Sequence, residues 1–220
     1  DVVLAADADN DITITTVNGN VSVSGNIDGT DGALQSLTVV SGSGDVSIGS
    51  IGTTAATATV NEIEINKADA QTGDISIGNI GASTFDGATG AAYIGNANTA
   101  IVTLSGSIYN FDNTVNIQAA AAGSNNDIRL TSASGTTIKS SDDTITFETG
   151  VIKLTAGLTT IESSGAKITL TETRGSGDED LKLDAGSSAT DAQVAVGRLG
   201  EGNGFAEITI IGVDGVTLGG

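Results

Sequence analysis

Residues 44–52 read GDVSIGSIG, and residues 73–81 read GDISIGNIG, 29 positions further along the chain. In both copies, apolar residues alternate with small polar ones, and a glycine stands at each end. Alternation with a period of two, bounded by turn-forming residues, is typical of a short β-strand. The near-identity of the copies therefore predicts that the chain repeats one small β unit.

Apolar-polar-apolar triplets of the same kind occur throughout the 220 residues. One register of triplets begins at residues 21, 46, 75, 102, 128, 152, 181 and 208. A second begins at residues 37, 63, 93, 115, 145, 168, 194 and 216, and single apolar residues between the two stand at Ile27, Ile51, Ile80, Ile108, Ile138 and Ile161. A repeat of about 25 residues with two or three short strands per turn predicts a coil of a parallel β-helix.

The predicted fold is an all-β, single-stranded parallel β-helix (β-solenoid) of about eight coils, with residues 1–220 as one domain. Equivalent strands of such coils stack about 4.8 Å apart, so the rod should be roughly 40 Å long. The general rule for parallel crossover connections makes it right-handed.

The composition supports this fold over other all-β folds. The chain has 31 Gly and no Pro, and Pro would remove a backbone donor from strands that are paired on both sides. Immunoglobulin-like sandwiches usually carry a buried Trp and a conserved Tyr corner, whereas this chain has no Trp and two Tyr. Disorder is disfavoured because 38% of the residues are apolar and regularly spaced.

Residues 26–65 and 72–117, which include GDISIGNIG and VTLSGSI, resemble the repeat region of filamentous-haemagglutinin-like exoproteins. The resemblance implies a right-handed β-helix that is exported to the bacterial surface and acts there as an adhesin, matrix or filament. No segment resembles the amino-terminal secretion domain of that family, so the resemblance implies nothing about the export route.

Charge and missing residue types exclude several functions. The chain has no Cys and no His, which rules out disulfides, haem ligation, the usual zinc sites and His-dependent catalytic triads. Its net charge of -19 argues against nucleic acid and anionic membranes as partners. The sequence contains no run of 18 apolar residues, so it does not predict a membrane-spanning segment. The absence of Met indicates either a processed chain or an excerpt of a longer one, and the simplest interpretation is a mature secreted chain, extracellular or on a bacterial surface, whose signal has been removed.

One segment suggests a metal. Asp7, Asp9 and Asp11 alternate along the chain, and carboxylates at alternate positions can converge on Ca²⁺. Ile12 and Asn18 stand where an EF-hand loop would need Gly and Glu, so a solvated acidic turn remains the alternative. Calcium is thus the one cofactor that the sequence suggests. A second acidic cluster, residues 175–180, is expected to be a loop between coils.

Catalysis is not predicted. Polysaccharide-cleaving enzymes on β-helices need carboxylates paired with each other or with a basic side chain in a cleft. Here Arg129, Lys153 and Lys182 stand in the middle of apolar triplets, which points them outward. A carbohydrate-active β-helix enzyme therefore ranks behind the structural functions.

The ends of the predicted rod suggest those functions. An uncovered terminal coil offers unpaired backbone groups and apolar side chains that recruit another chain. Val2, Val3 and Leu4 at one end, and Val216 and Leu218 at the other, are the predicted contacts of a head-to-tail homopolymer. The alternative is the stalk of a longer surface adhesin. Cell-surface or matrix components are further candidate partners.

Overall fold

The computed structural model describes residues 2–4, 11–30, 35–68, 70–121, 126–141, 143–187, 191–200 and 204–219. Within these residues the chain forms 21 strands and no helix, and every pairing between the strands is parallel. The strands stack as a β-solenoid of about eight turns, which confirms the predicted fold class. The same residues include no helix that is long and apolar enough to cross a membrane.

Each coil has three sides, which we call faces one, two and three. Face one is made of β2 (Ile12–Thr15), β4 (Leu37–Val40), β6 (Ile63–Ile65), β8 (Ala92–Ile94), β11 (Val115–Gln118), β14 (Ile145–Glu148), the first halves of β17 (Ile168–Arg174) and β19 (Gln193–Leu199), and β21 (Gly215–Leu218). Face two is made of the first halves of β3 (Val21–Asp28), β5 (Val46–Ile51) and β7 (Ile75–Ile80), then β9 (Ile101–Leu104), β12 (Asp127–Leu130), β15 (Val151–Leu154) and the second halves of β17 and β19.

Face three has its first strand directly before the first strand of face one in the chain, and its last strand directly before the last strand of face one. It is made of β1 (Val2–Val3), the second halves of β3, β5 and β7, then β10 (Ile108–Phe111), β13 (Thr136–Ser140), β16 (Leu158–Glu162), β18 (Asp180–Asp184) and β20 (Glu207–Ile211). The chain therefore enters the solenoid on face three with β1 and leaves its last described coil on face one with β21.

The core is a set of inward-facing columns with one apolar side chain per coil. On face one the column runs from Ile12 through Leu37 and Ile63 to Val216, and its internal members are buried. This column confirms the second register expected from the sequence except at residue 93, where Ala92 takes the inward position and Tyr93 faces outward. Burial of each Val, Leu or Ile side chain contributes about 1.5 to 3 kcal/mol, and each depends on the coil above and below to cover it.

The sequence placed Leu181 and Ile208 on the wrong face. Leu181 was expected on face two, but it pairs with Thr159 on face three, and Ile208 stacks on Leu181. Face two instead continues from Ile152 to Thr173 and Leu199. The reason is that β17 and β19 run from face one into face two without a break, so the face-two segment there has no apolar triplet of its own.

Ile108 was also assigned one position too early. It pairs with Thr137, whereas Tyr109 takes the inward position between Ile80 and Ile138. Tyr109 is fully buried, and its hydroxyl donates to the Ile77 carbonyl oxygen at 2.9 Å. This hydrogen bond allows an aromatic residue with a polar end to replace Ile in the column, because the hydroxyl is not left unpaired.

Asparagine shapes one corner between faces one and two. Asn66 is buried and has a φ of 49°, a left-handed conformation that Asn adopts more readily than most residues. Its Oδ1 accepts from the Ser41 backbone N–H at 2.9 Å, and its Nδ2 donates to Ser41 Oγ at 2.8 Å. In the next coil, Asn96 Nδ2 donates to the Asn66 carbonyl oxygen at 2.6 Å. Side-chain amides thus satisfy backbone groups where the chain turns.

We predict that Thr173→Val stabilises the fold. The Thr173 hydroxyl is buried in the face-two column without a hydrogen-bond partner, and an unpaired buried hydroxyl is unfavourable. Replacement by the isosteric Val should raise the free energy of unfolding by about 1 kcal/mol and the melting temperature by about 2 to 4 °C. Thermal denaturation followed by circular dichroism measures this, with Thr169→Val on the outer side of the same strand as control. An equal change in both variants would contradict the prediction.

Candidate functional site

The last described coil leaves apolar side chains uncovered. Val216 and Leu218 of β21 stack on Val194 and Val196, which are buried. Val216 is nevertheless 45% exposed and Leu218 58% exposed. Because no described strand pairs with the other edge of β21, these inward-facing side chains have a neighbouring coil on one side alone.

The other two faces complete this surface. Ile208 and Ile210 of β20 stack on Leu181 and Leu183, and Ile208 is 41% exposed. Leu199 of β19 occupies the last inward position of face two and is partly buried. We call the five residues Leu199, Ile208, Ile210, Val216 and Leu218 the C-terminal cross-section.

The sequence predicted two of these five residues. The remaining three were missed because the Ile208-Thr209-Ile210 triplet was placed on face two, and Leu199 belongs to no triplet. The alternation of apolar and polar residues was enough to predict that Ile208 and Ile210 face inward. Their position next to β21 at the end of the rod depends on which face β20 occupies, and local alternation does not specify that face.

The first described coil presents a second surface. Val2 stacks on Ile27 with 36% of its surface exposed, and Ile12, Ile14 and Val23 are partly buried. Val2, Ile12, Ile14 and Val23 form what we call the N-terminal cross-section, whereas Val21, which stacks on Val46, is 6% exposed and belongs to the core. No strand of the described residues pairs with the outer edges of β1, β2 and the first half of β3.

Val3 and Leu4 differ from each other in environment. Val3 lies beside Asp28 and is 63% exposed, and its predicted contact role stays a prediction. Leu4 is 1% exposed, its N–H donates to the Asp28 carbonyl oxygen at 2.8 Å, and its own carbonyl oxygen accepts from Thr30 Oγ1 at 2.9 Å. Leu4 is therefore a core residue of the first coil, and its predicted role at an interface stays a prediction.

The expected calcium segment is described in part. Asp7 and Asp9 lie outside the described residues, and Oδ1 of Asp11 accepts from the Ser36 N–H of the next coil at 3.1 Å. Among the residues that the structure describes, no group of three or more acidic side chains could hold a metal ion. Calcium binding at Asp7, Asp9 and Asp11 stays a prediction.

The corner before face two carries a ladder of carboxyl and amide groups. Asn20 Oδ1 accepts from the Asp45 N–H at 2.9 Å, Asp45 Oδ1 from the Asp74 N–H at 3.0 Å, and Asp74 Oδ1 from the Ile101 N–H at 3.1 Å. Burial, followed by the negative charge of Asp45, raises the pKa of Asp74, although the Ile101 hydrogen bond and Arg129 oppose this shift. Two stacked carboxylates therefore cost stability when both are ionised.

We predict that Asp74→Asn stabilises the protein at neutral pH. An Asp whose folded pKa is raised contributes stability that is present below its unfolded pKa, near 3.9, and that is lost as pH rises through the folded value. Asn keeps the acceptor for Ile101, as Asn20 does for Asp45, and removes the charge. The melting temperature at pH 7 should rise by roughly 1 to 3 °C, and the gain should vanish below about pH 3.5.

Thermal denaturation at both pH values checks this prediction. Asp74→Ala is the control, because it removes the charge together with the acceptor for the Ile101 N–H. If Asp74→Asn is less stable than the wild-type chain at pH 7, the repulsion between the stacked carboxylates does not govern this corner.

Arg129, Lys153 and Lys182 form ion pairs with nearby carboxylates on the outer surface. The buried Asp127 forms ion pairs with Arg129 Nη2 at 3.0 Å and with Lys153 Nζ of the next coil at 2.7 Å. Lys182 Nζ lies 3.0 Å from Asp184 Oδ2. The three basic side chains are 37 to 39% exposed between buried neighbours, which confirms that they point outward. Their charges compensate carboxylates of the rod itself.

In the acidic cluster at residues 175–180, residues 175–179 form a loop at the corner between faces two and three, and Asp180 begins β18. The Ser176 hydroxyl donates to Glu179 Oε1, and Glu179 Oε2 accepts from the Ser176 N–H at 2.6 Å and from the Gly177 N–H at 2.9 Å. Burial alone would raise the pKa of Glu179, but the hydrogen bond from the Ser176 hydroxyl, followed by those from the two backbone N–H groups, outweighs it and lowers the pKa. The Glu179 carboxylate thus stabilises its own loop by accepting hydrogen bonds from the backbone N–H groups of that loop.

The chain matches no protein family, no curated protein and no solved structure. The likeness to filamentous-haemagglutinin-like exoproteins therefore stays an expectation from the sequence. The two cross-sections, defined by their geometry, remain the best candidate for a functional site.

Proposed function

We propose that this chain is a structural protein whose β-solenoid assembles end to end into an extracellular filament or matrix. The observation that carries the proposal is the C-terminal cross-section, where inward-facing Val216 and Leu218 are about half exposed beside an edge of β21 with which no described strand pairs. An exposed edge of this kind is a template for another strand, and apolar residues around it favour a dry contact.

The partner that best fits this surface is another coil. Covering half-exposed apolar side chains contributes on the order of 1 kcal/mol each, and the strand edges add hydrogen bonds. Association costs about 4 to 15 kcal/mol in lost freedom, so a contact of this size should give assembly that depends on protein concentration.

A location outside the cell, secreted or on a bacterial surface, is part of the proposal. It rests on the composition, which lacks Cys and His, and on the resemblance of residues 26–65 and 72–117 to surface exoproteins. We infer a structural rather than an enzymatic role because Arg129, Lys153 and Lys182 compensate carboxylates of the rod.

The alternative is that these coils form part of the stalk of a longer surface adhesin. The observation that favours it is the uniform cross-section, since the same inward column runs on face one from Ile12 to Val216. Further coils of one polypeptide could stack on either end without a change of fold. Contacts with cell-surface or matrix components would then lie elsewhere in that protein.

We predict that Leu218→Asp abolishes elongation of the purified 220-residue chain. The substitution places a charge among the apolar residues of the C-terminal cross-section, where a stacked coil would bury it without a partner. Thr217→Asp is the matched control, because it adds the same charge to the same strand on the outer side. Electron microscopy and sedimentation velocity over a range of concentrations should show filaments for the wild-type chain and the control.

The wild-type result tests the proposal as a whole. Monodisperse short rods at all concentrations, salt levels and calcium levels would rule out end-to-end assembly. Filaments formed equally well by Leu218→Asp would exclude the C-terminal cross-section as the contact.

We also predict that salt controls the lateral association of the rods. A charge of -19 on each chain opposes side-by-side contact, and the Debye length falls from about 30 Å at 0.01 M to about 10 Å at 0.1 M ionic strength. Light scattering should therefore increase when Mg²⁺ or Ca²⁺ is added at low salt. Bundling that is indifferent to ionic strength and to divalent cations would contradict this prediction.

A further inference from the structure

We infer that two copies of the chain join head to tail in one defined register, with β2 of one copy on β21 of the other and β1 on β20. This inference rests on the proposed function and specifies the contact that it needs. The commitment to a second copy follows from the strand order and from the columns of side chains on two faces.

Face one supplies the first match. Its column begins with Ile12-Thr13-Ile14 and ends with Val216-Thr217-Leu218, so both ends have an apolar-Thr-apolar order. In both strands the apolar residues face inward and the Thr faces outward. Because all coils run in the same direction, β2 of a second copy can add to β21 as an ordinary parallel strand about 4.8 Å away.

Face three supplies the second match. Val2 and Ile210 are the first and last members of one inward column. In the chain, β1 comes immediately before β2, and β20 comes immediately before β21. One translation and rotation of the second copy therefore brings β1 over β20 and β2 over β21 together. The resulting contact continues the coil-to-coil interface that already repeats inside each chain.

Face two distinguishes this joint from an internal coil contact. The last face-two position is Leu199 and the first is Val21, and the described residues supply no face-two strand between β21 and β1. At the joint, face two would therefore lack one strand pairing between Leu199 and Val21, which would lie about 9.6 Å apart, twice the strand spacing, and Val21 is already buried within its own chain. Strands would pair across the joint on faces one and three but not on face two. Filaments should therefore dissociate at a lower denaturant concentration than the one at which the coils unfold.

The register can be tested with cysteines, since the chain has none of its own. In the inferred joint, Thr13 and Thr217 are neighbours on the outer side of face one, with Cα atoms about 4.8 Å apart, which lies within the range for a disulfide. Oxidation of a Thr13→Cys/Thr217→Cys variant should give a ladder of covalent multimers on a denaturing gel, and reductant should collapse the ladder to monomer.

Two matched variants make the test specific. Thr13→Cys/Thr209→Cys places the two thiols on different faces, because Thr209 belongs to β20 on face three. Thr217→Cys alone reports tail-to-tail contacts, because it cross-links only if two C-terminal cross-sections meet. We expect no ladder from the first variant and no covalent dimer from the second. Circular dichroism verifies that all variants fold.

The outcomes separate this inference from the proposed function. A ladder from Thr13→Cys/Thr217→Cys alone supports the inferred register. Filaments that appear without that ladder, a ladder from Thr13→Cys/Thr209→Cys, or dimers of Thr217→Cys overturn the register and leave end-to-end assembly standing. If sedimentation shows monomers alone for the unmodified chain, both the register and the proposed function fail.

Discussion

Parallel hydrogen bonding between successive coils is the interaction on which the rest of the structure depends. None of the described strands is longer than eight residues, and a strand of that length is not stable alone. Each coil becomes stable when its backbone groups bond to the coils on either side and its inward side chains are covered by theirs. An internal residue such as Ile77 is fully buried for this reason, whereas Val216 in the last coil is not.

The same constraint organises the polar residues. Where the chain turns, a side chain accepts the backbone N–H of the next coil, as Asn20 does for Asp45 and Asp45 does for Asp74. Because equivalent positions lie about 4.8 Å apart, like charges at one corner repel and opposite charges neutralise each other. Asp45 and Asp74 illustrate the first case, and Asp127 between Arg129 and Lys153 illustrates the second.

Alternation in the sequence predicted most of face one, but in one coil Ala92 rather than Tyr93 takes the inward position of the column. It failed on face three, where Tyr109 rather than Ile108 points inward, because the choice depends on a hydrogen bond to Ile77 in another coil. It also misplaced Leu181, because coil length changes where β17 turns the corner without a break. In the candidate site, Val216 and Leu218 were identified, whereas the buried position of Leu4 was not foreseen.

The sequence by itself determined the period, the parallel solenoid and the apolar columns, because alternation and glycine-rich turns are local properties of the chain. Only the tertiary structure decided which strands share a face, since that depends on how many residues each corner takes up. It also decided that β1 and β21 lie on different faces, so that no described strand pairs across the inferred joint on face two. The physical reason is that a column is defined by contacts between residues more than 20 positions apart, and local alternation does not specify those contacts.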